Sequence, residues 1–336
     1  MNDNSRLRSI GKGVGMALVI VILVATIVLI FPQSWQHQFR TLATLRQVDD
    51  YPLYVMHYTA DYELTFLHDR TQAKSEPQSE SSWACTCFAA STPDGDWVFG
   101  RNFDWHNRPT LVLFTHPSDA YASVSMVDIA YLGFTGDERL TWINRWRLLD
   151  APRWPFDGMN EMGLAVGMMA VPYAQDSQDA RKTPIGSLSV IRLLLDYARD
   201  VTEAVSLLEG YRVDFGGGPP VHYLIADAAG RSVVVEFVDG ETRIVSSKEG
   251  WQVSTNFVIS DNVPQGAHSA CWRYNLVYET LENAAGKVSP QDALALLEQT
   301  SQQNTMWSAV YNMTSGDILV AVGKQYDRVK SFKLAR

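Results

Sequence analysis

Ala84-Cys85-Thr86-Cys87-Phe88-Ala89-Ala90, followed beyond a Pro93-Asp94-Gly95 turn by Gly100-Arg101-Asn102-Phe103-Asp104, decides how this chain is read. Two short strand-like runs, Phe88 to Ser91 and Trp97 to Gly100, flank a turn whose residues favour chain reversal, which predicts a hairpin. That hairpin returns Arg101 and Asp104, 16 and 19 residues downstream, to the side of Cys85. A guanidinium beside a thiol stabilises thiolate, and a carboxylate can hold an ammonium group. Taken singly, an Arg/Asp pair beside a turn is more often a surface feature, and a free cysteine more often a small buried hydrophobe. The position of Cys85 adds to the signal. It stands just after Thr71 to Ser82 (TQAKSEPQSESS), a polar stretch with the composition of an exposed linker. Cutting the Ala84–Cys85 bond would put a thiol and a free α-amine, with ordinary pKa values of about 8.5 and about 7.7 to 8.0, on one residue. Nucleophile and base would then share a single amino acid.

On the N-terminal side, Gly13 to Phe31 are 19 consecutive uncharged, mostly aliphatic residues, close to the roughly 20 that a helix needs to cross a bilayer. Arg6, Arg8 and Lys12 precede this run with only Asp3 opposing. Positive charge on that side predicts a cytoplasmic stretch 1–12, a membrane helix 13–31 and an extracytoplasmic remainder. A cleaved signal peptide, and hence secretion, is the alternative, although the run exceeds the usual apolar region of such peptides. Residues 32–84 then form a pro-segment and linker, within which Trp35 to Arg46 has helical spacing and Pro52 to Tyr58 (PLYVMHY) reads as a strand. Residues 85–336 form the main domain.

The whole chain has 336 residues, 46% of them apolar, which supplies a sizeable core. Its net charge of −9 gives no basic surface for nucleic acid. Cys85, Cys87 and Cys271 are too few for a disulfide scaffold, and neither they nor the scattered histidines have a zinc-ligand spacing, so no metal or cofactor is expected. A Cys87–Cys271 disulfide is left open. Downstream, helical patterns fall at Ser187 to Arg199 and at Thr202 to Glu209 behind an Asp200 cap. Strand-like runs follow at His222 to Asp227, Ser232 to Val238, Thr242 to Ser246 and Gln252 to Thr255. Helices near Cys271 to Asn283 and Pro290 to Thr300 precede a closing hairpin, Trp307 to Asn312 with Asp317 to Val322. Grouped strands and grouped helices indicate an α+β or layered αββα architecture, not a doubly wound parallel sheet.

Cys85-Thr86, followed at this spacing by Gly100-Arg101-Asn102-Phe103-Asp104, resembles the start of the mature chain in the N-terminal-nucleophile linear amide C–N hydrolases. That family includes choloylglycine hydrolase, penicillin V acylase, acid ceramidase and the acyl-CoA:6-aminopenicillanic acid acyltransferases. Further segments match in order: Asp157 to Leu164, His222 to Asp227 with Ser232 to Glu236, Ser254-Thr255-Asn256, Trp272-Arg273-Tyr274, and Thr305 to Asn312. The likeness spans about residues 83 to 333. It implies a four-layer αββα sandwich, self-cleavage before Cys85 and a covalent acyl-enzyme on an N-acyl amide substrate. By the same resemblance Cys85 is the nucleophile, Arg101 lies beside it, Asp104 contacts the cysteine amine, Asn256 is an oxyanion-hole amide, and Arg273 is a late active-site arginine. The second oxyanion asparagine of the bile salt branch falls near Ala170. This chain has no side-chain amide there, which points away from bile salts and towards the ceramidase or acyltransferase branches.

Rival readings stay in view. Cys87 points to the same strand face as Cys85, but the 16-residue spacing to Arg101 belongs to Cys85. His106, His116, His222 and His268 are read as structural, although a Cys/His peptidase would need one of them. Asp157 and Glu161 would suit sugar chemistry only at a fixed separation, and Asp157 to Asn160 is read mainly as a turn. Trp105, Phe134, Trp142, Trp146, Trp154 and Phe156 are candidates for an acyl pocket. An acyltransferase and an inactive membrane-tethered binding protein are the alternative functions.

Overall fold

The computed structural model describes residues 33–62, 84–106, 108–134, 140–175, 179–216, 218–262 and 271–336. The apolar run 13–31, the linker 71–82 and His268 lie outside them. Among the described residues no helix is long and apolar enough to cross a membrane.

Helix α1 (Gln33–Ala43) leads into β1 (Arg46–Asp49) and β2 (Leu53–Tyr58). The hairpin β3 (Thr86–Ser91) and β4 (Trp97–Asp104) comes next, then β5 (Thr110–Thr115), β6 (Ser123–Asp128), β7 (Asp157–Asn160) and β8 (Ala165–Ala170). Two 3₁₀ segments, Ile129–Leu132 and Asn144–Arg153, separate β6 from β7. The chain continues through β9 (Thr183–Gly186), α2 (Ser187–Tyr197), α3 (Val201–Glu209), β10 (Tyr211–Asp214), β11 (Val221–Ala226), β12 (Ser232–Val238), β13 (Glu241–Ser246) and β14 (Gln252–Ser254). It closes with α4 (Ile259–Asn262), α5 (Trp272–Asn283), α6 (Pro290–Gln299), β15 (Thr305–Asn312), β16 (Asp317–Val322) and β17 (Lys330–Lys333).

The strands make a nine-stranded sheet, β1-β2-β5-β6-β7-β8-β11-β12-β13, a six-stranded sheet, β14-β3-β4-β15-β16-β17, and a small parallel pair, β9 with β10. Residues of β3 show how the layers stack. Cys87 and Ala89 join Phe99 in the core between the large sheets, while Phe88 and Ala90 pack with Val98 against Val277 and Leu281 of α5 and Leu294 and Leu297 of α6. This period of two is what a strand buried on both faces requires. On the other side α2 packs on β7 and β8, and α3 on β11. The order is therefore helix, sheet, sheet, helix.

The predicted hairpin is present, with Thr86 opposite Asn102 and Cys87 opposite Arg101. Gly95 turns it at φ +93°. Gly100 lets the two strands pack, since a Cβ there would sit 2.3 Å from the Phe88 ring. The Asp200 carboxylate caps α3 by accepting from the Glu203 N–H at 3.0 Å, as expected.

Several expectations need correction. Asp157 to Asn160 is a fully buried strand, not a turn. Its residues alternate: Asp157 faces the six-stranded sheet, and Asn160 turns to α2, donating to the carbonyls of Leu195 at 3.1 Å and Ala198 at 2.8 Å. The α1 pattern stops at Ala43, and Arg46 opens a strand instead. No sequence expectation covered β6, whose buried Ser123, Ser125 and Asp128 break its apolar run, nor β9, β10 and β17.

The segment before Cys85 is part of this architecture. Strand β2 lies parallel to β5 from Leu53 opposite Thr110 to Tyr58 opposite Thr115. Asp49 takes Arg328 at 3.1 Å and Lys330 at 2.9 Å, and the Tyr58 hydroxyl donates to the Leu149 carbonyl at 3.0 Å. Tyr62 donates at 2.9 Å to Asp196, which pairs with Arg192 at 2.5 Å inside the protein.

Candidate active site

Cys85, itself buried, sits just before the first paired residue of β3 and lines a largely apolar cleft of about 670 Å³, mouth included. Asp104, from the end of β4, lines the same cleft, as the hairpin geometry predicts. So do Trp105, Trp154 and Phe156, together with Tyr131. Tyr131 stacks on Trp154 at 5.5 Å and tilts against Phe156 at 5.3 Å, so the aromatic wall is continuous. The other three proposed pocket aromatics lie elsewhere. Phe134 is fully buried in a separate cluster, Trp142 is 72% exposed, and Trp146 packs edge-on against Phe39 of α1.

Two side chains grip the Cys85 backbone. The Asn256 side-chain oxygen accepts the Cys85 N–H at 2.5 Å, and its Nδ2 donates to the Ala170 carbonyl at 2.7 Å. Arg273, from the first turn of α5, donates through Nη1 to the Cys85 carbonyl and, at 3.1 Å, to Thr86 Oγ1. Its Nη2 reaches Asn256 Oδ1 at 3.1 Å. Arg273 and Asn256 thus fix the peptide plane on both sides of Cys85 and each other, which is how the late arginine and the Ser-Thr-Asn segment meet the nucleophile candidate. Where the resemblance places an asparagine near Ala170, this chain supplies a backbone carbonyl, and Asn256 is bonded to it.

Arg101 is fully buried, in register with Cys87 and near enough to Cys85 for the two side chains to interact electrostatically. Its Nη1 donates to Cys87 Sγ at 3.4 Å and its Nε to Asp157 Oδ2 at 3.4 Å. Burial works against the charged guanidinium, but Cys85, Cys87 and Asp157 acting together raise its pKa, so it remains a cation. Asp157 is anchored in turn by the Trp307 indole N–H at 2.9 Å and the Tyr311 hydroxyl at 2.5 Å. Sequence reasoning missed this carboxylate as the partner of Arg101.

Burial pushes the Cys87 thiol up to about 12 in spite of the Arg101 charge. Cys87 is therefore a protonated core residue. All three cysteines are free, so no Cys87–Cys271 disulfide forms; Cys271 accepts instead from the Thr255 hydroxyl at 3.4 Å.

Asp104 makes no hydrogen bond to the Cys85 nitrogen, which Asn256 holds instead. Asp104 Oδ1 accepts from Thr305, and Oδ2 is buried with no hydrogen-bond partner among the described residues. Burial pushes its carboxyl up to about 7, against the pull of the Thr305 hydroxyl and the charges of Arg273, Arg101 and Lys324. The free oxygen leaves Asp104 able to receive one further donor.

The remaining candidates have other partners. His222 is spent on the Thr255 carbonyl and Glu236, His116 is exposed, and Glu161 holds the Ala122 N–H. Among the described residues no group of three His, Cys, Asp or Glu side chains is arranged to hold a metal ion.

A sequence model of the linear amide C–N hydrolases, choloylglycine hydrolase family, matches residues 85–257, beginning at Cys85 itself. The chain belongs to this family. A penicillin V acylase of Pectobacterium atrosepticum is 24% identical over 199 residues, covering 53% of this chain and 50% of the relative. The chain thus matches about half the length of that curated relative. Among solved structures, a mutant conjugated bile acid hydrolase from Clostridium perfringens aligns with a TM-score of 0.55 and 16% identity, over 74% of this chain and 92% of that one. Penicillin V acylase from Agrobacterium tumefaciens aligns with a TM-score of 0.52 and 17% identity, over 74% and 86%. At these identities the likeness establishes the fold, an α+β arrangement of the N-terminal-nucleophile hydrolase type.

Proposed function

We propose that the chain cleaves itself between Ala84 and Cys85 and then hydrolyses a linear, non-peptide amide, an N-acyl compound, through Cys85. The observation that carries this reading is the convergence on one residue. Cys85 borders an apolar cleft with a half-bonded carboxylate in it, and Asn256 and Arg273 hold its nitrogen and carbonyl.

Once freed, the Cys85 α-amine takes the thiol proton, and the thiolate adds to the substrate carbonyl. The C–N bond breaks, the amine departs with the proton held by the α-amine, and the acyl group remains as a thioester on Sγ. Water, deprotonated by the same amine, releases the acid and restores the thiol. Asn256 contributes an amide N–H to the oxyanion after leaving the Ala170 carbonyl. Asp104, with one free oxygen, receives the α-ammonium, which gains donors when the peptide bond is cut. Arg101 keeps a fixed positive charge that acts on the sulfur electrostatically. The aromatic wall of Trp105, Tyr131, Trp154 and Phe156 accommodates the acyl chain. An amine in place of water would make the same site an acyltransferase.

Cleavage in this reading leaves residues 33–62 bound through β2 and the Tyr62–Asp196 contact. The run 13–31 is proposed as the membrane anchor, with the catalytic body on the extracytoplasmic side. Incubating the purified full chain with p-nitroanilides of phenylacetic, octanoic and dodecanoic acids tests the chemistry. Release of p-nitroaniline that Cys85→Ala abolishes supports it. Absence of turnover on every probe by a chain shown to begin at Cys85 contradicts an N-acyl amidohydrolase.

A further inference from the structure

Strands β11 and β12 carry a buried polar pair that the mechanism above does not use. His222 of β11 and Glu236 of β12 are both fully buried, on neighbouring strands of the nine-stranded sheet. His222 Nε2 lies 2.7 Å from the Thr255 carbonyl and 3.2 Å from Ser254 Oγ. A carbonyl only accepts, so Nε2 carries the proton. Nδ1 faces Glu236 Oε1 at 3.4 Å. Glu236 then accepts two backbone N–H groups, Ile259 at 2.6 Å and Ser260 at 3.0 Å. Burial opposes its ionisation, but the adjoining His222 ring and the hydrogen bonds from Ile259 and Ser260 hold its carboxyl below the usual range.

The partners of this pair are backbone groups on both sides of Asn256. His222 fixes the carbonyl immediately before it, and Glu236 fixes the amides three and four residues after it. Strand β14 ends at Ser254, so the ladder with β3 no longer constrains the chain where Asn256 begins. Asn256 is therefore held by its own contacts to Cys85, Ala170 and Arg273, and by this clamp.

We infer that His222 and Glu236 are positioning residues that act through Asn256, setting the place of its side-chain amide against the reacting carbonyl. The inference rests on the proposed role of Asn256 and goes beyond it. A displacement of about 1 Å in a group acting on the transition state can cost on the order of 100-fold in rate, whereas binding of the acyl chain to the aromatic wall is untouched. The clamp therefore shows in kcat and not in KM.

The test is a double-mutant cycle on the full chain with octanoyl p-nitroanilide, kcat being expressed per chain that begins at Cys85, counted by mass spectrometry. His222→Leu is expected to lower kcat roughly 10- to 100-fold with KM changed less than about twofold. His222→Gln, whose amide N–H can still reach the Thr255 carbonyl, should recover most of that loss. In the Asn256→Ala background, His222→Leu should add less than about a twofold effect, because the group it positions is gone. Should His222→Leu fail to fold, Glu236→Gln carries the same cycle, with a smaller kcat loss that also vanishes beside Asn256→Ala. Multiplicative losses, or a matching rise in KM, would overturn the clamp while leaving the role of Asn256 intact. An Asn256→Ala chain with full turnover would instead remove the reading on which the inference rests.

Discussion

The side-chain oxygen of Asn256 receives the backbone N–H of Cys85 at 2.5 Å. This nitrogen is the leaving group of the proposed self-cleavage and afterwards the general base. One side chain is thereby tied to both stages. Its Nδ2 is bonded to the Ala170 carbonyl, which the proposed mechanism has it exchange for an oxyanion.

Asn256→Ala removes the proposed oxyanion donor. Loss of one such donor costs about 2.7 to 4 kcal/mol, so kcat on an anilide substrate should fall on the order of 100- to 1,000-fold. Steady-state rates per cleaved chain check this, and a loss below tenfold would show that the oxyanion is stabilised elsewhere.

The two neighbouring cysteines should respond differently to alkylation. Cys87 is buried with its thiol raised to about 12, whereas Cys85 borders the cleft. Iodoacetamide at neutral pH should modify Cys85 and spare Cys87 in the folded protein, as read by peptide mapping. Cys87→Ala should retain turnover, and Cys85→Ala should have none.

Asp104 makes stability depend on pH. Burial lifts its carboxyl to about 7, while an unfolded chain has about 3.9. Between these values the native state holds a proton that the unfolded state has released, so stability falls as pH rises from about 4 through about 7. In the uncleaved Cys85→Ala chain, Asp104→Asn should remove a contribution of at most about 4 kcal/mol to that fall. Asp128, also pushed up to about 7 by burial, keeps part of the slope. Urea unfolding at several pH values gives the comparison. A slope unchanged by Asp104→Asn would contradict the assignment.

Asp157→Leu leaves the Arg101 guanidinium buried with no carboxylate. Breaking a buried pair from one side costs about 3 to 5 kcal/mol. Asp157→Asn, which keeps an acceptor for Trp307 and Tyr311, should cost less. Denaturant midpoints measure both, and equal effects would mean that the charge on Asp157 does not matter.

The fragment containing residues 33–62 should stay with the catalytic body after cleavage, because β2 has Leu53, Val55 and Met56 fully buried within the sheet. Both fragments should co-elute in detergent and part only in denaturant. Separation without denaturant would contradict this.

Much of this arrangement was legible from local chemistry. The Pro93-Asp94-Gly95 turn and the alternation in β3 and β4 dictate the hairpin, and the hairpin brings Asp104 to the cleft that Cys85 lines, while Arg101 comes opposite Cys87, two residues on from the cysteine its spacing pointed to. Asp200 and its helix, β2 and the terminal hairpin were readable for the same reason: their signals lie within a few residues. What escaped depended on distant partners. Asp157 looks like a turn residue until Arg101, Trp307 and Tyr311 are brought to it from other strands. Strand β6 is buried on both faces and carries two serines and an aspartate there, so neither periodicity nor hydrophobicity marks it. The split among the aromatics followed from tertiary packing, since nothing local distinguishes Trp154 from Trp142.

The central claim is that breaking one peptide bond creates the nucleophile and its base together. Mass spectrometry of the full-length protein, beside its Cys85→Ala variant, tests it most directly. The account predicts a fragment beginning at Cys85 in the unaltered chain and a single intact chain in the variant. An unaltered chain that turns over an amide while remaining intact would contradict it.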